Sequence, residues 1–172
     1  MKFKIRPAYE DDAADINDIR RQESVLPNIL AVPSETSSHT EDWLSSIDPA
    51  MQHVFVAEVE HDGEAKVVGI ASLAISSRLR QRHSAGIGIM LHEDYHGKGI
   101  GTALMDAIIS LADNWLMLVR LELDVLAVNE GAVRFYERLG FVKEGVKVKD
   151  TIRLGKYVDS IFMARINHKA IN

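Results

Sequence analysis

Ile87-Gly88-Ile89-Met90-Leu91-His92-Glu93-Asp94-Tyr95-His96-Gly97-Lys98-Gly99-Ile100-Gly101 combines a buried strand, a short polar turn, three alternate glycines and the start of a helix. From Ile100 the apolar residues recur at Ala103, Leu104, Ala107, Ile108, Leu111, Ala112 and Trp115, the i, i+3, i+4 spacing of one helical face. Glycines at a helix start let an anion approach free backbone N–H groups, where the helix dipole also favours negative charge. The segment is therefore expected to hold phosphate.

Two nucleotide motifs come close and fail. A dinucleotide fingerprint needs G-x-G-x-x-G directly after a strand. Gly97 and Gly99 fit, but Gly101 comes one place early and His92–His96 intervene. A Walker loop needs Ser or Thr after Gly-Lys, where this chain has Gly99. His92-Glu93-Asp94-Tyr95-His96 is also a literal H-E-x-x-H, the zinc-protease string. That chemistry needs both His on one helix turn. Glycines follow at once here, so a zinc hydrolase is kept only as an alternative and no metal ligands are assigned.

His96-Gly97-Lys98-Gly99-Ile100-Gly101 resembles the R/Q-x-x-G-x-G/A acetyl-CoA motif of the GNAT N-acetyltransferases, with His96 in place of Arg or Gln. A second block, Leu121–Val125 followed by Asn129, Ala132, Phe135-Tyr136 and Leu139-Gly140-Phe141, is similar to the family's V-x-x-x-N-x-x-A-x-x-x-Y-x-x-x-G-F signature. The resemblance extends from Ile5 to Ala164 and looks closest to the family's small-molecule and amino-acid N-acetyltransferases. It implies an α/β fold with a mixed, largely antiparallel central sheet of about seven strands flanked by about four helices. It also implies acetyl-CoA as co-substrate and direct attack by an acceptor amine in a ternary complex.

Composition narrows the partners. At 172 residues the chain is expected to form one domain, 1–172, with a substantial core. A formal charge of −5 argues against nucleic acid as the main partner. The absence of cysteine excludes disulfides and a Cys nucleophile and suits a reducing compartment. No secretory h-region and no membrane-length apolar run are visible, so cytoplasm is expected. A homodimer is compatible with the resemblance.

Along the chain, Lys2–Arg6 alternates as a strand and Asp11–Gln22 has helical spacing with Ile16 and Ile19 inward. Ser38-His39-Thr40-Glu41 has the S-x-x-E form of a capping box. His53–Glu60 and Val67–Ser76 are expected as strands around a His61-Asp62-Gly63-Glu64 turn. Ser84–Leu91 is another strand, Arg120–Ala127 a strand, Asn129–Leu139 a helix, and Val142–Ile166 two further strands. Antiparallel hairpins followed by βαβα predict a mixed α/β domain, not a doubly wound sheet.

Acyl transfer to an amine needs the cofactor held, the ammonium deprotonated and the thiolate stabilised. The amides of Gly97, Lys98, Gly99, Ile100, Gly101 and Thr102 are candidates for the pyrophosphate, with Lys98 adding charge. By resemblance, Met90 and Leu91 offer backbone groups to the pantetheine arm and one N–H to the thioester oxygen. Tyr136 matches the family's proton donor to the departing thiolate, and Asn129 is both N-cap and cofactor contact. Many relatives carry a carboxylate mid-strand before the glycine loop, where this chain has Gly86. Glu122 is the candidate base through a water, with Asp124, Glu23, His83 and Asp159 behind it. The apolar loop Val25–Val32 is the candidate acceptor pocket, through Leu26, Asn28, Ile29 and Leu30. Asn28, Arg78, Arg80 or Arg82 could meet an acceptor carboxylate. The expected reaction is acetyl transfer to the primary amine of a small molecule, an amino acid first. The alternatives are a protein N-terminus, an antibiotic amine, and a catalytically silent acyl-CoA-binding module.

Overall fold

Hydrophobic period sets the element order. The structure, a computed structural model, describes residues 2–61 and 63–171. Its elements are β1 Phe3–Pro7, α1 Ala13–Arg20, α2 Ser37–Ser45, β2 Gln52–His61, β3 Glu64–Ile75, β4 Ser84–Leu91, α3 Ile100–Asn114, β5 Arg120–Leu126, α4 Glu130–Arg138, β6 Val142–Arg153 and β7 Lys156–Ile166. The strands pair in the order β1-β2-β3-β4-β5-β7-β6. β4 and β5 run parallel, whereas β1–β2, β2–β3, β5–β7 and β6–β7 are antiparallel. This is the mixed, largely antiparallel α/β sheet the sequence predicts. Asp62, in the expected hairpin turn, lies outside the described residues; the strands beside it close through His61 and Glu64.

The chain divides into two compact units, Met1–Ala74 with Gly88–Leu111, and Ile75–Ile87 with Ala112–Asn172. In the first, Ala13, Ile16 and Ile19 of α1 meet Leu44 of α2 and Val54, Val56, Val67 and Ile70 of the strands. Full burial of Ile16 and Ile19 stabilises by roughly 2–3 kcal/mol each. Asp12 fixes the start of α1: it takes a two-pronged pair from Arg6 at 2.8 Å and the Tyr9 N–H at 2.8 Å. In the second, Leu121, Leu123 and Val125 are buried on one face of β5, with Met163 and Ile161 of β7 in register with the latter two. Asp113 clamps Arg165 of β7 through both carboxylate oxygens at 2.9 and 2.7 Å.

Two local expectations fail. α2 starts at Ser37 with Thr36 as N-cap, and Ser38 Oγ lies 2.7 Å from Thr36 Oγ1, so Ser38 and Glu41 form no capping box. Trp115 is 80% exposed and lies beyond α3. Met117 turns the chain with φ 51°, and Leu118, whose N–H bonds Ala112 O at 2.9 Å, is buried instead. Among the described residues, no helix is long and apolar enough to cross a membrane.

Candidate active site

Gly97 and Gly99 take φ of 70° and 81°, left-handed values that L side chains rarely adopt. A Cβ placed on either would meet nothing within 4 Å, so backbone conformation and open approach, not packing, demand glycine. Ala103 N–H to Gly99 O, at 3.1 Å, is an i→i−4 bond at the start of α3. The N–H groups of Gly99, Ile100, Gly101 and Thr102 are the four that helix geometry leaves without an intrahelical partner. They stand at the positive end of the helix dipole. Lys98 Nζ lies 4.9 Å from the Tyr95 ring centroid, a cation–π contact that keeps its charge beside the loop. Open donors, a dipole and a cation fit the pyrophosphate of acetyl-CoA.

The turn before the loop is built by its own polar residues. Glu93–Tyr95 is a single 3-10 turn, so the His-Glu-x-x-His string is not on an α-helix. His92 Nδ1 accepts the Asp94 N–H at 3.3 Å and its ring meets Tyr95 edge-on at 5.4 Å. His96 Nε2–H donates to the Leu91 carbonyl at 3.0 Å, fastening the loop to the end of β4. Among the described residues no three His, Cys, Asp or Glu side chains gather as metal ligands.

At that strand end, Met90 packs against the same core cluster as Ile29 of the candidate acceptor loop. Gly69 was not singled out from sequence. A Cβ there would lie 2.7 Å from Leu91 Cδ1 and 3.0 Å from Leu104 Cδ1, so glycine lets β3 lie close under the strand and helix that carry the loop. A glycine inside the apolar run Val67–Ile70 is the signal that could have found it.

The candidate acceptor loop is only partly an inward surface. Leu26–Asn28 form one 3-10 turn, and Leu26, Asn28 and Ile29 are half-buried. Leu30, by contrast, is 81% exposed. Asn28 Nδ2 donates to the Ser24 carbonyl at 2.8 Å.

Glu122, Asn129 and Tyr136 belong to the second unit. Asn129 Oδ1 accepts the Ala132 N–H at 3.2 Å and caps α4. Tyr136 is buried, with ring centroids of Phe135 at 5.5 Å and Phe141 at 5.8 Å. Burial pushes its phenol up to about 12. Glu122 sits in parallel register with Gly86, on the sheet face where a mid-strand carboxylate would stand. It is not a free carboxylate, however: Arg120 Nε donates to Glu122 Oε2 at 2.8 Å, while the same guanidinium grips Glu144 at 3.0 and 2.5 Å. Asp124 is likewise tied to Lys147 Nζ at 2.7 Å. Arg120 and Lys147 both lie over the Phe162 ring, at 5.6 and 5.5 Å. Asp159 Oδ1 accepts the Lys149 N–H at 2.8 Å, a structural duty within β6 and β7. His83 contributes its carbonyl to the N–H groups of Val119 and Arg120 at 2.9 and 3.1 Å.

Comparison with known proteins agrees with the loop. Residues 15–141 match the Acetyltransferase (GNAT) family. The chain is 34% identical over 162 residues to the L-amino acid N-acetyltransferase AaaT of Escherichia coli (strain K12), covering 94% of this chain and 96% of that protein. It is 28% identical over 167 residues to the spermidine N(1)-acetyltransferase of Escherichia coli (strain K12), covering 96% and 87%. The crystal structure of spermidine N-acetyltransferase from Vibrio cholerae in complex with CoA and spermine superposes with a TM-score of 0.83 at 25% identity, covering 99% and 98%. The chain belongs to the Acetyltransferase (GNAT) family and is an acetyl-CoA-dependent N-acetyltransferase.

Proposed function

We propose that the acceptor is the primary amine of a small molecule, an L-amino acid first among them. The observation that carries this reading is the charge of the loop from Arg78 to Arg82. Val25–Val32 contains no carboxylate. Arg78, Arg80 and Arg82 have no carboxylate partner among the described residues, and Arg78, Leu79, Arg80 and Gln81 stand exposed around an open recess of the surface. Guanidinium forks bind carboxylates in paired hydrogen bonds and repel a polyamine. The likeness to a protein named for L-amino acids supports the same choice. A cysteine-free composition supports a reducing compartment, the cytoplasm.

Acetyl-CoA, when bound, supplies the acyl group as a thioester. The amides of Gly99–Thr102 and the Lys98 ammonium would hold its phosphates, and Met90 and Leu91 would lie along its arm. Tyr136 keeps its proton at neutral pH. Against an ordinary thiol near 8.5, full transfer from a phenol at about 12 is uphill by roughly 3.5 units, or about 5 kcal/mol. Tyr136 therefore acts as a hydrogen-bond donor to the departing sulfur, with the final proton drawn from water. The acceptor nitrogen bonds the acyl carbon as the carbon–sulfur bond breaks. Before that attack its ammonium loses one proton through water, with the second carboxylate oxygen of Glu122 as the receiving group. A second proton passes from the nitrogen to water as the amide forms, balancing the one the sulfur takes up.

Thiol release at saturating acetyl-CoA, with product masses, tests this across L-amino acids, spermidine and a peptide N-terminus. An apolar L-amino acid is expected to exceed spermidine at least tenfold in kcat/KM. The Arg78→Gln/Arg80→Gln pair is expected to raise the amino-acid KM about tenfold, the scale of a lost charge-assisted pair. Preference for spermidine or the peptide would overturn the reading.

A further inference from the structure

Glu93, in the turn before the glycine loop, is exposed, yet its carboxylate and its backbone N–H are both engaged by one distant segment. Ser24 Oγ donates to Glu93 Oε2 at 2.6 Å, and Glu93 N–H donates to Gln22 Oε1 at 2.9 Å. These bonds span 69 and 71 residues, so they serve no local turn. Gln22 and Ser24 are the root of the candidate acceptor loop. The Gln22 carbonyl accepts the N–H groups of Val25 and Leu26 at 3.0 and 2.9 Å, and the Ser24 carbonyl accepts Asn28 Nδ2–H at 2.8 Å. On its other side, the Glu93 carbonyl accepts the His96 N–H at 3.2 Å, one residue before Gly97. One residue thus joins the root of the acceptor loop to the mouth of the acetyl-CoA loop.

We propose that Glu93 is a positioning residue that pins the acceptor loop to the acetyl-CoA loop, so that order on one side is felt on the other. The proposal rests on the acceptor reading of Leu26–Leu30 given above. A carboxylate that accepts a hydroxyl at this distance makes a strong, charge-assisted bond. Besides this pin, the loop has one 3-10 turn and the packing of Val25 and Ile29 against the core. Coupling of this kind is reciprocal: acetyl-CoA binding that steadies the turn raises acceptor affinity by the factor that the acceptor raises acetyl-CoA affinity.

The test uses Glu93→Ala, Glu93→Gln, Ser24→Ala and the Glu93→Ala/Ser24→Ala double variant. Amide hydrogen exchange over residues 22–30 is read without ligand, and steady-state constants are read with the best acceptor. Glu93→Ala is expected to speed exchange and to raise the acceptor KM about five- to tenfold. Acetyl-CoA affinity of the free enzyme should stay within about twofold and kcat within about threefold. Glu93→Gln, whose amide oxygen still accepts from Ser24, should restore most of the acceptor KM. The double variant should be no worse than either single one, because all three remove the same bond. Unchanged exchange in Glu93→Ala would show that the pin does not exist, whichever amine is used. Faster exchange with a wild-type acceptor KM would show a pin with no part in acceptor binding, which also overturns the proposal. A wild-type protein that acetylates no amine would defeat the acceptor reading and this role with it, while exchange would still report on the pin.

Discussion

The two halves of the chemistry are built from different materials. On the acetyl-CoA side, Gly97 to Thr102 offer backbone N–H groups fixed by two left-handed glycines and a helix start. On the proposed proton-handling side, β5 offers Glu122 and Asp124, and both are already paired, with Arg120 and Lys147. Helix geometry leaves the N–H groups of a backbone cradle without an intrahelical partner, so they can serve a ligand. A carboxylate on a sheet face takes whichever cation the next strand brings. On the proposed roles, the enzyme is expected to be strong in holding and orienting its substrates and weak in general-base catalysis.

Gly99→Val attacks the strong side and carries the largest expected effect. A β-branched residue at φ 81° is strained by about 1–2 kcal/mol, yet nothing crowds its Cβ, so the fold should survive. Titration calorimetry should find acetyl-CoA affinity reduced by about 100-fold or more, because an isopropyl group standing in the open approach to the donors adds to a strain worth up to about 30-fold by itself. Near-wild-type affinity would place the phosphates elsewhere. Tyr136→Phe follows: kcat should fall about 30-fold, some 2 kcal/mol of barrier, with acetyl-CoA affinity nearly intact. Equal kcat would make the tyrosine purely structural.

On the weak side, Glu122→Gln should lower kcat by about tenfold at most, near 1.4 kcal/mol, and never abolish turnover. A loss of about 1,000-fold would reveal a dedicated base despite the Arg120 pair. A separate effect, outside catalysis, concerns stability at high pH. Burial raises the Tyr136 phenol from 10 to about 12, so its neutral form belongs to the folded state. That contribution is whole below pH 10 and is lost as pH rises through 12. Urea unfolding should show wild type losing more stability than Tyr136→Phe across that window.

The same contrast explains what could be read from the chain alone. Ser84–Leu91 and the helix from Ile100 were legible because apolar period and glycine placement act locally. Asn129 was legible as a cap for the same reason. The pairing of Glu122 was not, since Glu144, which shares Arg120 with it, arrives on β6 after a helix and a turn. Gly69 was missed likewise, and Glu93 was legible only as part of the H-E-x-x-H string: the first answers to Leu91 and Leu104, the second to Gln22 and Ser24, and neither set of partners is near in sequence. Trp115 misled in the opposite direction, its apolar period running one residue past the end of α3.

The division between a strong cradle and a weak base is tested most directly by the pH dependence of kcat/KM with acceptors whose amines differ in pKa. With no dedicated base, each profile should rise toward the pKa of its own acceptor, and the rise should shift from one amine to the next. Glu122→Gln should lower the curves without moving them. A single rise near pH 7, the same for every acceptor, would contradict the account by revealing a tuned protein base.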